Sequence, residues 1–506
     1  MNSSHSNAKK VATNTLFLYA RMALMMVVGF LTARVNLDSL GVDNYGIYSV
    51  VGGLVVMFTV LSGSITSAIS RFITYELGAG NKENMQLVFS TSMIIQVLLS
   101  ILLILLAETL GLWFINDNMN FPADRYVAAN WVYQLSILSF VTSLLSVPYN
   151  ATIIAHEKMA AFAYISIFEA FLKLLIAYFT YISPIDKLIF FASANCLVSL
   201  FLRNLYSIYC RKHFAECHFV LVFNSVLLKK MFSFAGWNFL GAGSLQLMTH
   251  GVNVLINMFF GVSVNAARGL AVTIENTVMS FVSNFTMAIN PVITKSYASN
   301  DTSYMFELIY RGAKFSFFLL MFFALPCILE ADMLLALWLK EVPPYTCIFL
   351  RLSLVASLIS VLSNTMMTAM LAVGDIKRYQ IIVGGLGMVV FPMTWILYKL
   401  GTEPQTTYFV VIVIYIIQFC VRLYLLKGMV GLSISDFVYR VLFRSLLVVF
   451  LVFIPTYMLY QSIPSTISSF FIICFTCGIL SLVFIYLVGL DTKEKQYLIN
   501  LIARKK

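Results

Sequence analysis

Polar side chains are scarce in this sequence, so chemistry is to be sought where they interrupt its apolar runs. A charge at the centre of a membrane-spanning helix costs roughly 2.5–3.5 kcal/mol on insertion scales, so each one needs a partner or a watery cavity. Gln246, His250, Asn253 and Asn257 form the longest polar series of this kind. At about 100° per residue they project within about 60° of one another on a helix. Four hydrogen-bonding groups on one face are not expected to meet lipid. They either line a central cavity or hydrogen-bond neighbouring helices as structural glue.

The next helix carries Arg268, Glu275 and Thr286 on one face, and Glu275 falls near its middle. An acid at that depth reads as a proton or cation site, or as a neutral, hydrogen-bonded carboxylic acid. On the first helix, Arg21 lies within reach of the membrane edge, so snorkelling competes with a role in a lumen. Glu169 and Lys173 stand at i, i+4, in the order that favours a self-paired ion couple; a free Lys173 would instead add a positive charge at mid-depth. Cys210, His213, Cys217 and His218 have ligand-like spacing, although a solvated helix extension with incidental Cys and His is the plainer reading. Cys474 and Cys477 lie inside an apolar span, where helix packing is expected. No nucleotide-binding loop of the Walker type, paired carboxylates or nucleophile–base set stands out, so neither an enzymatic activity nor a cofactor is expected.

The elements that must hold these residues follow from composition. Of the 506 residues, 60% are hydrophobic and 11% are charged, against about half and a quarter in soluble domains. The apolar residues come in blocks of about twenty, the length a helix needs to cross the hydrocarbon layer. The sequence therefore predicts an all-α integral membrane protein of about fourteen spanning helices. Continuous apolar runs exclude a spanning β-barrel. Most of the 33 Lys and Arg residues fall in alternate loops and in both tails. The positive-inside rule then places both termini in the cytosol, with Arg34, Arg125, Lys187, Arg268, Lys340 and Lys399 on the far side. The net charge of +11 is thus a topology signal, spread over many segments. No nucleic-acid partner is expected.

A shift of 220 positions lays the second half over the first. Gly41-Val42 meets Gly261-Val262, Ala68-Ile69 meets Ala288-Ile289, Thr74 meets Thr294, and Met85 meets Met305. Six helices separate the equivalents, an even number, so the halves are parallel repeats. The expected organisation is an N-lobe over 1–210, an interfacial linker over 211–230 and a C-lobe over 231–426. Two further helices over 427–490 and a basic tail over 491–506, read as a surface-lying helix, complete the chain.

Several stretches carry a family likeness. They are Leu40-Gly41-Val42-Asp43-Asn44-Tyr45-Gly46-Ile47-Tyr48, Ser70-Arg71-Phe72, Gly78-Ala79-Gly80-Asn81, Asn290-Pro291-Val292-Ile293-Thr294 and Gly374-Asp375-Ile376-Lys377-Arg378-Tyr379. Together with the helix count, they make the chain resemble the polysaccharide-transport branch of the MOP (MATE-like) superfamily, the Wzx-type O-antigen and capsule flippases. The resemblance implies alternating-access export of a polyprenyl-diphosphate-linked oligosaccharide across a bacterial inner membrane. Membrane lipids, a glycan polymerase and glycosyltransferases are the implied partners. Arg21, Lys173 and Arg268 would donate to phosphate oxygens, and Gln246, His250, Asn253 and Asn257 would bind sugar hydroxyls. Glu275 is the candidate for ion coupling, and the last two helices would form a groove for the lipid tail. A MATE-type drug or cation antiporter is the main competitor; it predicts twelve helices and a deep acid in the first lobe. A membrane scaffold of an envelope-synthesis complex, with no transport of its own, is the third reading.

Overall fold

A computed structural model describes residues 2–56, 59–113, 125–220, 224–339, 342–464, 466–492 and 494–496. Among the described residues there is no strand. This follows from the solvent the apolar runs select. Lipid offers no partner for backbone N–H and C=O groups, so each run must satisfy its own by coiling into a helix.

The first run, α1 (Asn2–Val56), turns at Gly41. It is followed by α2 (Thr59–Ala79), α3 (Lys82–Leu106), α4 (Tyr126–Ala155), α5 (Met159–Tyr181) and α6 (Lys187–His213). After the short turn Ala215–Cys217 come α7 (Ser225–Gln246), the π turn Leu247–Gly251 and α8 (Val252–Ala298), which turns at Gly261. The rest is α9 (Thr302–Leu329), α10 (Ala331–Trp338), α11 (Thr346–Val361), α12 (Asn364–Val373), α13 (Lys377–Lys399), α14 (Thr406–Val430), α15 (Ile434–Ser462) and α16 (Ile467–Gly489). Among the described residues, ten helices are long and apolar enough to cross a membrane, and eleven if α11 and α12, bent by 41°, count as one span. Of the remaining expected spans, 13–35 and 266–290 lie in the runs that turn at Gly41 and Gly261, and 45–69 begins in α1 and ends in α2, with 57–58 outside the described residues. The chain is a multi-pass membrane protein.

The internal repeat is written into the backbone. Gly41 (φ 77°, ψ 166°) and Gly261 (φ 83°, ψ −177°), 220 positions apart, adopt the same conformation. That region is essentially closed to residues with a Cβ. The next pair of equivalents agrees as well: Gly80 (φ 74°) and Asn300 (φ 58°) both take positive φ. Each is followed by a helix cap, Asn81 accepting from the Asn84 amide and Asp301 from the Tyr304 amide. Such caps satisfy amides that the first helical turn leaves without partners. Met85 and Met305, one turn further on, are both buried.

Two compact units are formed. One comprises Met1–Phe239 and Thr294–Asn300; the other comprises Leu240–Ile293 and Asp301–Lys506. α8 therefore begins in the second unit and ends in the first. In the first unit, α3 widens into a π turn at Ala107–Gly111, and the buried Tyr133 hydroxyl of α4 donates to the Ala107 carbonyl at 2.8 Å. In the second unit, the Gln418 amide of α14 donates to the Val383 carbonyl, inside a π turn of α13, at 2.9 Å. Both side chains satisfy acceptors at irregular backbone, which buried structure requires.

Candidate functional site

The second unit gathers a polar cluster from four helices. Arg268 on α8 is buried, and its Nη1 donates to the Thr249 carbonyl at 2.9 Å and to the side-chain carbonyl of Asn253. Glu275 lies two turns further along α8 and is partly buried. Its Oε1 accepts a hydrogen bond from the Ser357 hydroxyl of α11 at 2.5 Å. Tyr408 and Tyr415 of α14 and Tyr398 of α13 are electrostatic neighbours of Arg268. The Tyr398 hydroxyl donates to the Pro404 carbonyl at 2.8 Å, and the Tyr408 hydroxyl is buried against the Arg268 guanidinium. The Arg268 Nε is buried as well. A guanidinium, a carboxylate and phenols in one apolar surround form a site that can hold a cation at Glu275 or an anion at Arg268.

The turn at Gly261 is what folds α8 back so that Arg268 meets Asn253, fifteen positions earlier in the chain. Asn253 thus acts as a partner of Arg268. The π turn Leu247–Gly251 has a second consequence, because it interrupts the regular advance of about 100° per residue on which the polar stripe rests. Gln246 precedes it and Asn253 follows it, so one face of a regular helix does not carry both. The side chains of His250 and Asn257 lie outside the described residues.

Arg21 and Lys173 are brought together in the first unit around one acid. Lys173 donates to Glu169 at 2.6 Å as an i, i+4 pair on α5. The Arg21 guanidinium sits over the Phe162 ring, 4.7 Å from its centroid, with Glu169 and Tyr206 as electrostatic neighbours. Its Nε is buried without a hydrogen-bond partner among the described residues.

The Cys–His series does not converge as a whole. Its two thiols, Cys210 and Cys217, are buried beside each other, with the Cys210 thiol on the Tyr149 carbonyl at 3.5 Å. His213 and His218 are exposed and bond the carbonyls of Tyr209 and Ala215. Among the described residues, no three His, Cys, Asp or Glu side chains are placed to hold a metal ion.

Sequence reasoning missed Ser357, Tyr398, Tyr408 and Tyr415, whose hydroxyls look like ordinary spanning-helix residues until folding brings α11, α13 and α14 to α8. It also missed Lys314, which stands at the start of the apolar run of α9 and is almost wholly inaccessible. A charge there demands an acid, and that demand was the available signal.

No family model matches the chain, and no curated protein matches it by sequence. Solved structures match it by shape. A multidrug resistance MATE family transporter of the MOP superfamily, in an outward-facing conformation, superposes with a TM-score of 0.71 at 13% identity, over 84% of this chain and 96% of its own. The fold is that of the MATE transporters. A MOP superfamily transporter from Pyrococcus furiosus gives a TM-score of 0.69 at 13% identity, and its structure carries a binding pocket described as of reverse polarity. The MATE transporter ClbM, in complex with Rb+, gives 0.69 at 15% identity. Both cover 84% of this chain and 96% of their own. About a sixth of this chain is therefore without a counterpart in structures that are themselves almost fully matched.

Proposed function

We propose that this protein is a flippase that moves a polyprenyl-diphosphate-linked oligosaccharide from the cytosolic to the periplasmic leaflet by alternating access, for O-antigen or capsule synthesis. The observation that carries the reading is the extra length beyond the MATE plan. The unmatched share is about that of the stretch from Ile434 onward, which holds α15 and α16. An added apolar pair suits a cargo with a long lipid tail better than a small drug. The basic residues Arg21 and Arg268 suit a diphosphate, because guanidinium donates two parallel bonds to its oxygens. The first helix carries Arg21 where a drug antiporter is expected to have an acid.

One observation favours the second reading, a MATE-type cation-coupled antiporter. Glu275 is a partly buried acid bonded to Ser357, a place for a coupling ion in either mechanism. The test is a deletion strain. Lipid-linked repeat units should accumulate on the cytosolic leaflet and disappear when the wild-type chain is restored. Normal surface glycan with raised sensitivity to cationic drugs would instead establish the antiporter.

A further inference from the structure

We propose that Glu157 and Lys295 form a latch that fastens the last turns of α8 into the first unit. The inference starts from a backbone anomaly. Glu157, in the three-residue turn between α4 and α5, has φ 57°. A residue with a Cβ takes positive φ at a cost, and the three-residue turn between α12 and α13 uses a glycine, Gly374 at φ 91°, for its own positive-φ position. The turn between α4 and α5 thus carries an acid at a positive φ, and the turn between α12 and α13 carries a glycine. Strain of this kind persists where the residue does something glycine cannot.

What the side chain does is plain from its partner. The Lys295 ammonium donates to Glu157 Oε1 at 2.5 Å, and both side chains are largely buried. Lys295 belongs to Thr294–Asn300, the last turns of α8, which leave the second unit and join the first. The pair does not act alone. A Cβ on Gly78 would lie 2.7 Å from the Lys295 Cα and 2.9 Å from the Ala298 Cβ, so α2 and α8 touch only because residue 78 is glycine. Tyr75 and Tyr297 pack with ring centroids 6.3 Å apart, and the Arg71 guanidinium lies over Tyr75 at 4.7 Å. The neighbouring His156 bonds Glu216 at 2.5 Å, which ties the same turn to the linker. The turn 156–158, the end of α2 at Gly78 and residues 294–300 thus share one end of the first unit. Release of residues 294–300 requires breaking this ion pair and separating Gly78 from Lys295.

The latch takes its meaning from the transporter reading, but its test does not depend on the cargo. The probe is Ala298→Cys in the full chain, purified in detergent and treated with a maleimide, with labelling read at that residue by mass spectrometry. Glu157→Lys and Lys295→Glu should each raise the labelling rate by roughly tenfold or more, and the double exchange should return it to the parent value. Glu157→Gly, which relieves the backbone and deletes the carboxylate, should label as fast as the charge reversals. Slow labelling in the single variants, or fast labelling in the exchange, overturns the latch. Where a reversal does not accumulate in membranes, Glu157→Gln takes its place under the same criterion. A failed glycan assay beside this labelling pattern would reject the cargo and leave the latch standing.

Discussion

The Lys314 ammonium lies 2.7 Å from the Glu494 carboxylate, with the two side chains only 2% and 4% exposed. Around this pair, Asp491 is shared between Lys314, at 3.6 Å, and Arg444, while Arg311 bridges Glu307, at 2.7 Å, and Glu494, at 3.6 Å. The network fastens the segment after α16 to α9 and α15. Removing one member of a buried pair leaves the other charged and unpaired, at about 3–5 kcal/mol, whereas replacing both by apolar groups is often neutral. Lys314→Met and Glu494→Leu should each lower the thermal midpoint of the purified protein, and the double variant should recover most of the loss. Equal midpoints for the single variants and the parent would show that the pair carries no stability.

At the cluster in the second unit, Arg268→Ala should leave Asn253 without its guanidinium, and Glu275→Gln should keep the bond to Ser357 while removing the charge. Both should reduce transport while membrane abundance stays at the wild-type level. The measurement is the amount of lipid-linked repeat retained on the cytosolic leaflet, and wild-type turnover in both variants would remove the cluster from the mechanism. Loss in Glu275→Gln alone would confine the role to the acid.

Arg21 is expected to behave differently from Lys173. Lys173 already has Glu169 as a close partner, but the Arg21 Nε has none among the described residues. Arg21→Ala should therefore impair transport more than Lys173→Ala, compared at matched protein level. The reverse order would assign Arg21 to packing against Phe162.

The two glycine turns should be equally intolerant. A side chain at Gly41 or Gly261 forces a backbone conformation that costs about 1–3 kcal/mol per site, although both have open space around a Cβ. Gly41→Ala and Gly261→Ala should each reduce stability by that order in detergent unfolding, and the two losses should add. Gly269→Ala, in open space inside α8 and without positive φ, is the control and should cost nothing.

The linker carries a pH dependence of known sign. Burial pushes the Glu216 carboxyl up, but the hydrogen bond and charge of His156 outweigh this and hold it below the ordinary value of 4.5. A depressed carboxyl contributes its stability above the unfolded value and loses it as the pH falls through the folded one. Backbone exchange at residues 214–218, corrected for its intrinsic pH dependence, should be slow at neutral pH and rise below the carboxylate range. In Glu216→Gln it should be fast at both. A Gln variant with the parent's pH response would place the effect elsewhere.

The membrane character, the all-helical class and the duplication could be read without a structure, because each depends on local pattern. A run of about twenty apolar residues in lipid has one way to satisfy its backbone, whatever its neighbours are. The two equivalent glycines likewise announced the repeat before their matching φ values were seen. The π turn between Gln246 and Asn253 could not be read from the sequence, because it is a cooperative irregularity with no reliable marker in the residues themselves. The partners of the charged groups were hidden for a different reason. Arg268 finds Asn253 across the turn at Gly261, Glu275 finds Ser357 on α11, Lys314 finds Glu494 after α16, and Glu157 finds Lys295 at the end of α8. In an apolar medium a charge is strongly required to have a partner, but its identity depends on helix packing. The sequence by itself determined that these charges needed partners; only the tertiary structure decided which ones, since helices remote in the chain pack side by side.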